Sequence, residues 1–284
     1  MGLTMTNTGL LSIFIPSSTL EDAPDLRAKT EKAFRVARSL AIFGVNHCVI
    51  YRDPFITKAQ HRRSSSLIRL ILEYLECPQY LRKLFYPRHS SLAFVGILPP
   101  LAIPHHFIKP PSKVGEIREA AVFLSQGKIW ANVGAKKPIE VIDAPKLRLS
   151  ERIKRMTISI SSLDPLKCEI LDKAVQARDQ YWGYKVRVSD ALLSHVLSDY
   201  NGIIVATSSH CSPLTPIDKA KIAKEKKLAI IFGSPTKGLQ EILKAEQKRI
   251  SNVAQLCFNA TTRARTRTIR LEEAILLTLA KLAS

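Results

Sequence analysis

The chain has 284 residues, of which 46% are hydrophobic. This apolar content is enough for one large core or two smaller ones and too high for a disordered protein. Its 43 Lys and Arg residues outnumber 24 Asp and Glu residues, which gives a formal net charge of +19. Such a charge favours a partner rich in phosphate, so we expect nucleic acid binding; the alternative is a basic surface that only confers solubility.

Several common classes of protein are not indicated. No stretch reaches the roughly 18 consecutive apolar residues that span a bilayer, and the N-terminus has no signal-peptide pattern, so we expect a soluble cytoplasmic protein without a membrane partner. The adjacent His105 and His106 would point to opposite sides of a strand, so no metal site is expected. Five scattered cysteines without a CxxC pair predict reduced, mostly buried thiols: Cys48, Cys77, Cys168, Cys211 and Cys257.

The first hundred residues alternate between strand and helix patterns. Asp22-Ala-Pro24 is typical of a helix start, and Gly44 ends that helix. Strands are predicted at residues 12–17, 47–51 and 92–98, and helices at residues 25–43 and 60–76. This alternation predicts a parallel sheet covered by helices.

The pattern changes between residues 99 and 188. Prolines crowd the start of this segment, and short alternating runs follow at residues 121–124, 128–133, 139–142, 156–160 and 185–188. Their spacing predicts a small antiparallel barrel of the kind that binds oligonucleotides. Basic residues lie next to this block, and Tyr181, Trp182 and Tyr184 offer rings on which bases could stack. The alternative is that these rings belong to the barrel core.

From residue 190 the α/β pattern returns. Helices are predicted at residues 191–197, 217–226, 239–246 and 268–282, and strands at 202–206, 228–232 and 253–258. The predicted fold is therefore a discontinuous α/β domain, residues 1–98 and 185–284, into which a small β-barrel of residues 99–184 is inserted.

Three of these strands are followed at once by loops of small polar residues. The loops are residues 207–213 (Thr-Ser-Ser-His-Cys-Ser-Pro), 233–238 (Gly-Ser-Pro-Thr-Lys-Gly) and 259–266 (Asn-Ala-Thr-Thr-Arg-Ala-Arg-Thr). In parallel sheets, ligands bind beyond the carboxyl ends of the strands, which predicts a pocket here. The second loop lacks the Gly-Lys-Ser/Thr ending of a phosphate loop, and neither Gly-x-Gly-x-x-Gly nor Gly-x-Ser-x-Gly is present.

Four segments carry a family resemblance. They are residues 74–89 (Tyr-Leu-Glu-Cys-Pro-Gln-Tyr-Leu-Arg-Lys-Leu-Phe-Tyr-Pro-Arg-His), residues 181–184 (Tyr-Trp-Gly-Tyr), Phe232 with Gly233, and residues 267–276 (Arg-Thr-Ile-Arg-Leu-Glu-Glu-Ala-Ile-Leu). Together they resemble the SPOUT-class RNA methyltransferase family shared by archaea and eukaryotes. The resemblance extends over nearly the whole chain, and the run between Cys77 and Pro87 is its most specific part.

The resemblance implies a trefoil-knotted α/β fold with an oligonucleotide-binding-like insertion, a homodimer, S-adenosylmethionine as methyl donor, and N3 of a uridine in ribosomal RNA as acceptor. It implies cofactor contacts at Thr207, Ser208, Phe232, Gly233, Ser234, Gly238, Leu239, Phe258, Asn259, Thr268, Ile269 and Ala274. The cations expected to bind RNA are Arg82, Lys83, Arg148, Arg152, Lys154, Arg155, Arg263 and Arg265.

The start of the last helix is expected to carry the chemistry. Loss of the N3 proton leaves an anionic uracil that a guanidinium can stabilise, so Arg270 and Arg267 are the candidate catalytic residues. Glu272 and Ala274 match an Arg-x-Glu-x-Ala pattern of uridine-N3 relatives, although Glu272 and Glu273 also suit any helix N-terminus.

Two features leave alternatives open. The third loop departs from the Pro-Gly-rich form of some relatives, and its arginines either contact RNA or are solvated. Because no acid/base cluster stands out, a non-catalytic RNA-binding scaffold is the main alternative function. A DNA-binding regulator has less support, since no recognition-helix motif is present.

Overall fold

The computed structural model describes residues 9–106, 109–143, 153–171, 181–261 and 264–284. They divide into two compact units: one comprises the residues up to Leu75 with Ser91–Leu101 and Gly183–Ser284, and the other comprises Glu76–Ser90 and Ala102–Trp182. We call them the sheet unit and the barrel unit. The main difference from the expected division is residues 76–90, which belong to the barrel unit because Cys77 and Leu81 pack against Ala121.

The secondary structure of the described residues follows in chain order. The helices are α1 Leu26–Ile42, α2 Lys58–Glu76, α3 Gln79–Phe85, α4 Leu193–Leu197, α5 Pro216–Ala223, α6 Leu239–Ala245, α7 Ile250–Val253 and α8 Leu271–Ala283. The strands are β1 Leu10–Pro16, β2 His47–Arg52, β3 Ile117–Ser125, β4 Lys128–Asn132, β5 Ile139–Asp143, β6 Lys154–Leu163, β7 Leu166–Ile170, β8 Lys185–Leu192, β9 Ile203–Thr207, β10 Lys227–Ile231 and β11 Leu256–Phe258.

The sheet unit is built on a parallel sheet with the strand order β11-β9-β10-β1-β2-β8. Its central strands are buried along nearly their whole length; Ile13, Ile15 and Ile230 are fully inaccessible to solvent. Continuous burial is expected where helices cover both faces of a parallel sheet. The predicted parallel α/β architecture is confirmed.

Local sequence signals explain where the helices begin. The Asp25 side chain accepts a hydrogen bond from the Ala28 N–H at 2.8 Å and caps α1. Thr215 and Asp218 form a capping box at the start of α5, with Pro216 in its first turn. Each cap satisfies amide groups that would otherwise lack partners, so the helices start close to the predicted positions.

The barrel unit contains a closed barrel with the strand order β3-β4-β5-β7-β6. Its core is formed by alternate side chains, among them Val122, Ala131 and Ile158. The predicted small barrel is confirmed, but it is not wholly antiparallel, since β5 and β7 pair in parallel, and one of its strands was assigned wrongly. Residues 185–188 belong to β8, which pairs with β2 in the sheet, whereas the barrel uses β7, Leu166–Ile170, which the sequence analysis missed.

The predicted strand at residues 92–98 is wrong. The structure has two 3-10 turns there, Ser90–Leu92 and Val95–Ile97. Leu92 and Val95 are buried while Ala93 and Gly96 are exposed, so the apolar contacts recur every three residues. That spacing fits a 3-10 turn, and not the alternation of a strand.

The expectation of reduced thiols is wrong for two cysteines. Cys211 and Cys257 form a disulfide with a Cα–Cα distance of 5.8 Å, while Cys48, Cys77 and Cys168 are free and buried.

Across the described ranges, no helix is long and apolar enough to cross a membrane, and no group of His, Cys, Asp or Glu could hold a metal ion.

Candidate functional site

The three polar loops meet at one edge of the sheet. Strands β11, β9 and β10 are parallel neighbours, with Phe258 beside Thr207 and Ile231 beside Ala206. Their carboxyl ends are therefore level, and the loops that follow them are adjacent. This is the position at which a parallel sheet binds its ligand.

The first loop bridges its two neighbours. The Thr207 hydroxyl donates a hydrogen bond to the Ile231 carbonyl at 3.0 Å, towards β10. The Ser208 N–H donates to the Phe258 carbonyl at 3.2 Å, towards β11. Both residues are half-buried, so the loop leaves the sheet with little freedom to move.

The second loop folds back on itself. The Ser234 N–H donates to the Lys237 carbonyl at 2.8 Å, and the Lys237 N–H donates to the Ser234 hydroxyl at 2.9 Å. A Cβ atom on Gly233 would lie 2.6 Å from the Leu239 nitrogen and 2.9 Å from the Gly238 carbonyl carbon. Only glycine fits this close approach of two backbone segments.

A buried tyrosine holds the base of the second loop. The Tyr51 hydroxyl donates to the Phe232 carbonyl at 2.6 Å, and the Phe232 N–H donates to the Phe14 carbonyl at 3.1 Å. Burial, followed by the nearby Asp53 and Glu246 carboxylates, raises the pKa of Tyr51, so its hydroxyl stays protonated. Tyr51 could not be identified as a site residue from the sequence, because nothing in a strand pattern shows that the last residues of a strand reach a neighbouring loop.

The third loop is tied to the first. The Asn259 N–H donates to the Ser212 carbonyl at 2.9 Å, and the Asn259 side-chain amide donates to the Ser209 carbonyl at 3.1 Å. The Cys211–Cys257 disulfide links the same two segments. The loops after β9 and β11 are therefore joined to each other by hydrogen bonds and by a disulfide.

The start of α8 presents exposed arginines. Arg265, Arg267 and Arg270 are all exposed, and Thr268 between them is exposed too. The Arg270 N–H donates to the Glu273 carboxylate at 2.9 Å, which fixes the helix start. The guanidinium groups are therefore accessible to a ligand.

Glu272 has a structural role. Its side chain is 2% exposed and lies 3.3 Å from Lys32 and 3.7 Å from Arg35, both on α1. Lys32 is itself buried and lies 2.7 Å from Asp22. Glu272 therefore joins α8 to α1, while Glu273 caps the helix and Ala274 is half-buried.

Arg155 does not lie free on an RNA-binding surface. It donates to both oxygens of Glu76 at 2.7 and 3.0 Å and to Glu119 at 2.8 Å. Although burial opposes ionisation, the His105 ring, whose Nε2 lies 3.2 Å from a Glu76 oxygen, and the Arg155 guanidinium lower the pKa of Glu76 to about 2. All three guanidinium nitrogens already donate to carboxylates, so we leave Arg155 out of the proposed RNA contacts.

The aromatic run at residues 181–184 is part of the packing. Tyr184 is 3% exposed, and its hydroxyl donates to the Leu72 carbonyl at 2.9 Å. The Trp182 ring stacks on His105 at a centroid distance of 5.8 Å. Tyr184 is therefore buried in the sheet unit, Trp182 is half-buried against His105 in the barrel unit, and neither ring is part of the barrel core.

The remaining predicted cations are distributed between the two units. Lys83 and Lys154, both in the barrel unit, are exposed, and Arg82 is half-buried with its Nε donating to the Cys77 carbonyl at 2.9 Å. Arg148, Arg152 and Arg263 lie outside the described residues.

Comparison with known proteins identifies a matching family and several related proteins. Residues 10–282 match the protein family described as "Putative RNA methyltransferase". The 28S rRNA (uridine-N(3))-methyltransferase of Drosophila melanogaster is 31% identical over 307 residues, covering 97% of this chain and 62% of that protein. The human protein of the same name is 30% identical over 301 residues, covering 96% of this chain and 77% of that protein.

An archaeal relative shows a similar level of identity. An uncharacterized protein of Halobacterium salinarum is 30% identical over 241 residues, covering 82% of this chain and 80% of that protein. The chain thus spans less than two thirds of the fly relative but most of the human and archaeal ones.

Proposed function

The chain belongs to the RNA methyltransferase family that its residues 10–282 match, and we propose that it transfers a methyl group from S-adenosylmethionine to N3 of a uridine in ribosomal RNA. The names of the fly and human relatives support this acceptor. The net charge of +19 fits a substrate made of phosphates.

The observation that carries the proposal is the group of three connected loops at the carboxyl edge of β9, β10 and β11. Thr207, Ser208 and Asn259 bind neighbouring backbone groups, and Gly233 closes the second loop on itself. Rigid loops of this kind present backbone N–H and C=O groups at fixed positions, as a nucleoside requires.

The residues at this edge fit S-adenosylmethionine chemically. The loops offer neutral hydroxyl, amide and backbone groups, among them Ser208, Ser234 and Asn259, beside the buried apolar side chains of Leu239 and Phe258. Neutral hydrogen-bonding groups suit adenine and ribose, and apolar ones suit a purine face. We propose that these residues, with Phe232, Gly233, Gly238, Thr207, Thr268, Ile269 and Ala274, hold the cofactor.

The reaction requires the protein to position the reacting groups and to stabilise charge. When bound, S-adenosylmethionine supplies a methyl carbon bonded to a positively charged sulfur. The loops would hold the methyl donor and the target base in line with each other. The reaction then takes place between groups that are already positioned, and not between molecules that must first collide. The exposed guanidinium groups of Arg270 and Arg267 would stabilise the negative charge on uracil after N3 gives its proton to water.

Replacing Arg270 tests this assignment. We expect Arg270→Ala to lower methyl transfer by about 100-fold or more, since one lost electrostatic contact to a developing charge has that size. The fold should persist, because the cap at this position uses the backbone N–H of Arg270 and the Glu273 carboxylate. The measurement is transfer of tritium from labelled S-adenosylmethionine into ribosomal RNA, alongside circular dichroism.

The control is Lys281→Ala, which removes a cation from the last turn of the same helix. Equal turnover of Arg270→Ala and the wild type would remove Arg270 from the catalytic residues. If the wild type binds no S-adenosylmethionine in a calorimeter and transfers no tritium, the chain is an RNA-binding scaffold instead.

We propose that the barrel is an oligonucleotide-binding-like insertion in a trefoil-knotted domain. Support comes from its closed five-stranded form and from the return of the chain to β8 after it. Exposed Lys83 and Lys154 in the barrel unit and Arg265 before α8 are the proposed RNA contacts.

A homodimer is proposed from the exposed apolar face of α8. Leu276 and Leu277 are 41% and 39% exposed, although both lie on a helix whose opposite face is buried. A second copy of the chain would cover them. Sedimentation equilibrium of the purified protein tests this state.

A further inference from the structure

An exposed phenylalanine lies beside the second loop. Phe55 follows β2 at the carboxyl edge of the sheet, and its side chain is 49% exposed. The Lys237 ammonium group of the second loop lies over one face of its ring, 5.7 Å from the ring centre, so a base would stack on the other face. We propose that Phe55 is a stacking platform for an unpaired base of the RNA substrate, with Lys237 placed to meet a phosphate.

The backbone before Phe55 is fixed by a buried carboxylate. Asp53 is 2% exposed, and one of its oxygens accepts the Phe55 N–H at 2.9 Å. The other oxygen accepts the Ser18 hydroxyl, and the Asp53 N–H donates to the Ser17 hydroxyl at 3.3 Å. Asp53 therefore anchors this loop to the end of β1.

The backbone after Phe55 is fixed as well. Thr57 and Gln60 form a reciprocal cap: the Thr57 N–H donates to the Gln60 side chain at 2.9 Å, and the Gln60 N–H donates to the Thr57 hydroxyl at 3.2 Å. A single exposed apolar ring is common on protein surfaces and does not by itself indicate a function. Here, however, the backbone on both sides of Phe55 is fixed, so little conformational entropy is lost when a base stacks on the ring.

The surrounding charge favours a nucleic acid. Exposed Lys58 and Arg62 lie in the first two turns of α2, and the first turn has no acidic residue. Lys237 pairs with Glu241 at 3.2 Å, but both side chains are largely exposed, so a phosphate can replace this weak partner. Aromatic rings interleaved with cations are the usual arrangement for binding single strands without reading their sequence.

This inference rests on the proposed function, because the platform adjoins the loops assigned to the cofactor. A base held on Phe55 would place its strand along the edge where the methyl group is transferred. The platform thus orients the strand, and the arginines before α8 act on the target base. We assign to Phe55 a positioning role.

Replacing Phe55 tests the platform. The probe is a short fluorescein-labelled oligouridylate, and its affinity is measured by anisotropy. We expect Phe55→Ala to weaken binding about tenfold and Phe55→Tyr to restore it, since stacking needs a ring of any kind. Calorimetry should show unchanged affinity for S-adenosylmethionine. In Phe55→Trp, oligouridylate should quench fluorescence beyond the change seen in the wild type.

The matched control is Ile42→Ala. Ile42 is 52% exposed at the end of α1, on the opposite edge of the same sheet. If Phe55→Ala binds oligouridylate as tightly as Ile42→Ala does, or if the wild type does not bind it, the platform is overturned. A wild type that binds oligouridylate through Phe55 but not S-adenosylmethionine would overturn the proposed transferase and leave the platform in place.

Discussion

The barrel unit and the carboxyl edge of the sheet use charged residues in opposite ways. In the barrel unit, Arg155 is held between Glu76 and Glu119, and Arg118, 1% exposed, pairs with Glu116. At the sheet edge, the loops contain neutral hydrogen-bonding groups, and the arginines before α8 face solvent. The density of positive charge is similar in both regions along the sequence.

This difference shows what a net charge of +19 does and does not indicate. Charge counts predict attraction to phosphate, but a cation contributes to it only where it faces solvent. Arg155 follows Lys154 in the same strand, yet Lys154 is exposed and Arg155 lies in the ion-pair network. Successive side chains of a strand point to opposite faces, so neighbouring cations on one barrel strand can differ, one exposed to solvent and the other held in ion pairs.

Breaking the ion-pair network should have the largest effect. We expect Arg155→Met to lower the free energy of unfolding by about 3 kcal/mol, because it leaves the Glu76 and Glu119 carboxylates without their cation in a buried site. Thermal denaturation followed by near-ultraviolet circular dichroism measures this change.

The control for Arg155→Met is Lys128→Met, which removes the exposed partner of Glu140 in the same barrel. That pair is solvent-screened, so its loss should change stability little. Equal destabilisation by both variants would contradict the contrast between buried and exposed cations.

An intermediate effect is expected in the second loop. In Gly233→Ala, the new methyl group would collide with the Leu239 nitrogen, so the turn must open. We expect the Kd for S-adenosylmethionine to rise at least tenfold, about 1.4 kcal/mol, while the barrel unit keeps its stability. Calorimetric titration measures the Kd.

Gly96→Ala is the matched control, because a Cβ at Gly96 meets nothing within 4 Å. Unchanged cofactor affinity in Gly233→Ala would show that this loop does not contact S-adenosylmethionine.

The third effect is a pH dependence of the barrel unit. Burial lowers the pKa of His106 to about 4, so its ring is neutral in the folded state at pH 5, while in the unfolded chain it takes up a proton below pH 6.5. Stability should therefore fall by about 2 kcal/mol between pH 7 and pH 5. The low pKa of Glu76 adds a further loss only below pH 4.5.

His106→Gln isolates this contribution. The Gln side chain can still donate to the Glu76 carbonyl, which the His106 ring contacts at 2.6 Å, but it does not titrate. If the variant and the wild type lose stability equally between pH 7 and pH 5, His106 is not the cause.

The sequence alone was sufficient for features set by neighbouring residues. Apolar runs identified β1, β2, β9 and β10, the Asp-Ala-Pro segment before α1 indicated where that helix begins although its cap is Asp25, and the polar loops marked the edge where Thr207, Gly233 and Asn259 lie together. The placement of cofactor and RNA on these residues stays a prediction that the experiments above address.

Features that depend on distant partners could not be predicted. Cys211 and Cys257 are far apart along the chain and become neighbours only because β11 pairs with β9. In the same way, β8 resembles a barrel strand by its alternation, and only its pairing with β2 assigns it to the sheet. Tyr51 shows the same limit, since its partner Phe232 lies on another strand's loop.

The strand order has a consequence for how the chain folds as the ribosome makes it. Strands β1 and β2 leave the ribosome before the barrel, yet β10, which lies between β1 and β9, is synthesised after it. Pairings this distant form slowly, and an exposed strand edge favours aggregation. One edge of β1 therefore stays unpaired until the ribosome has made both the barrel and β10.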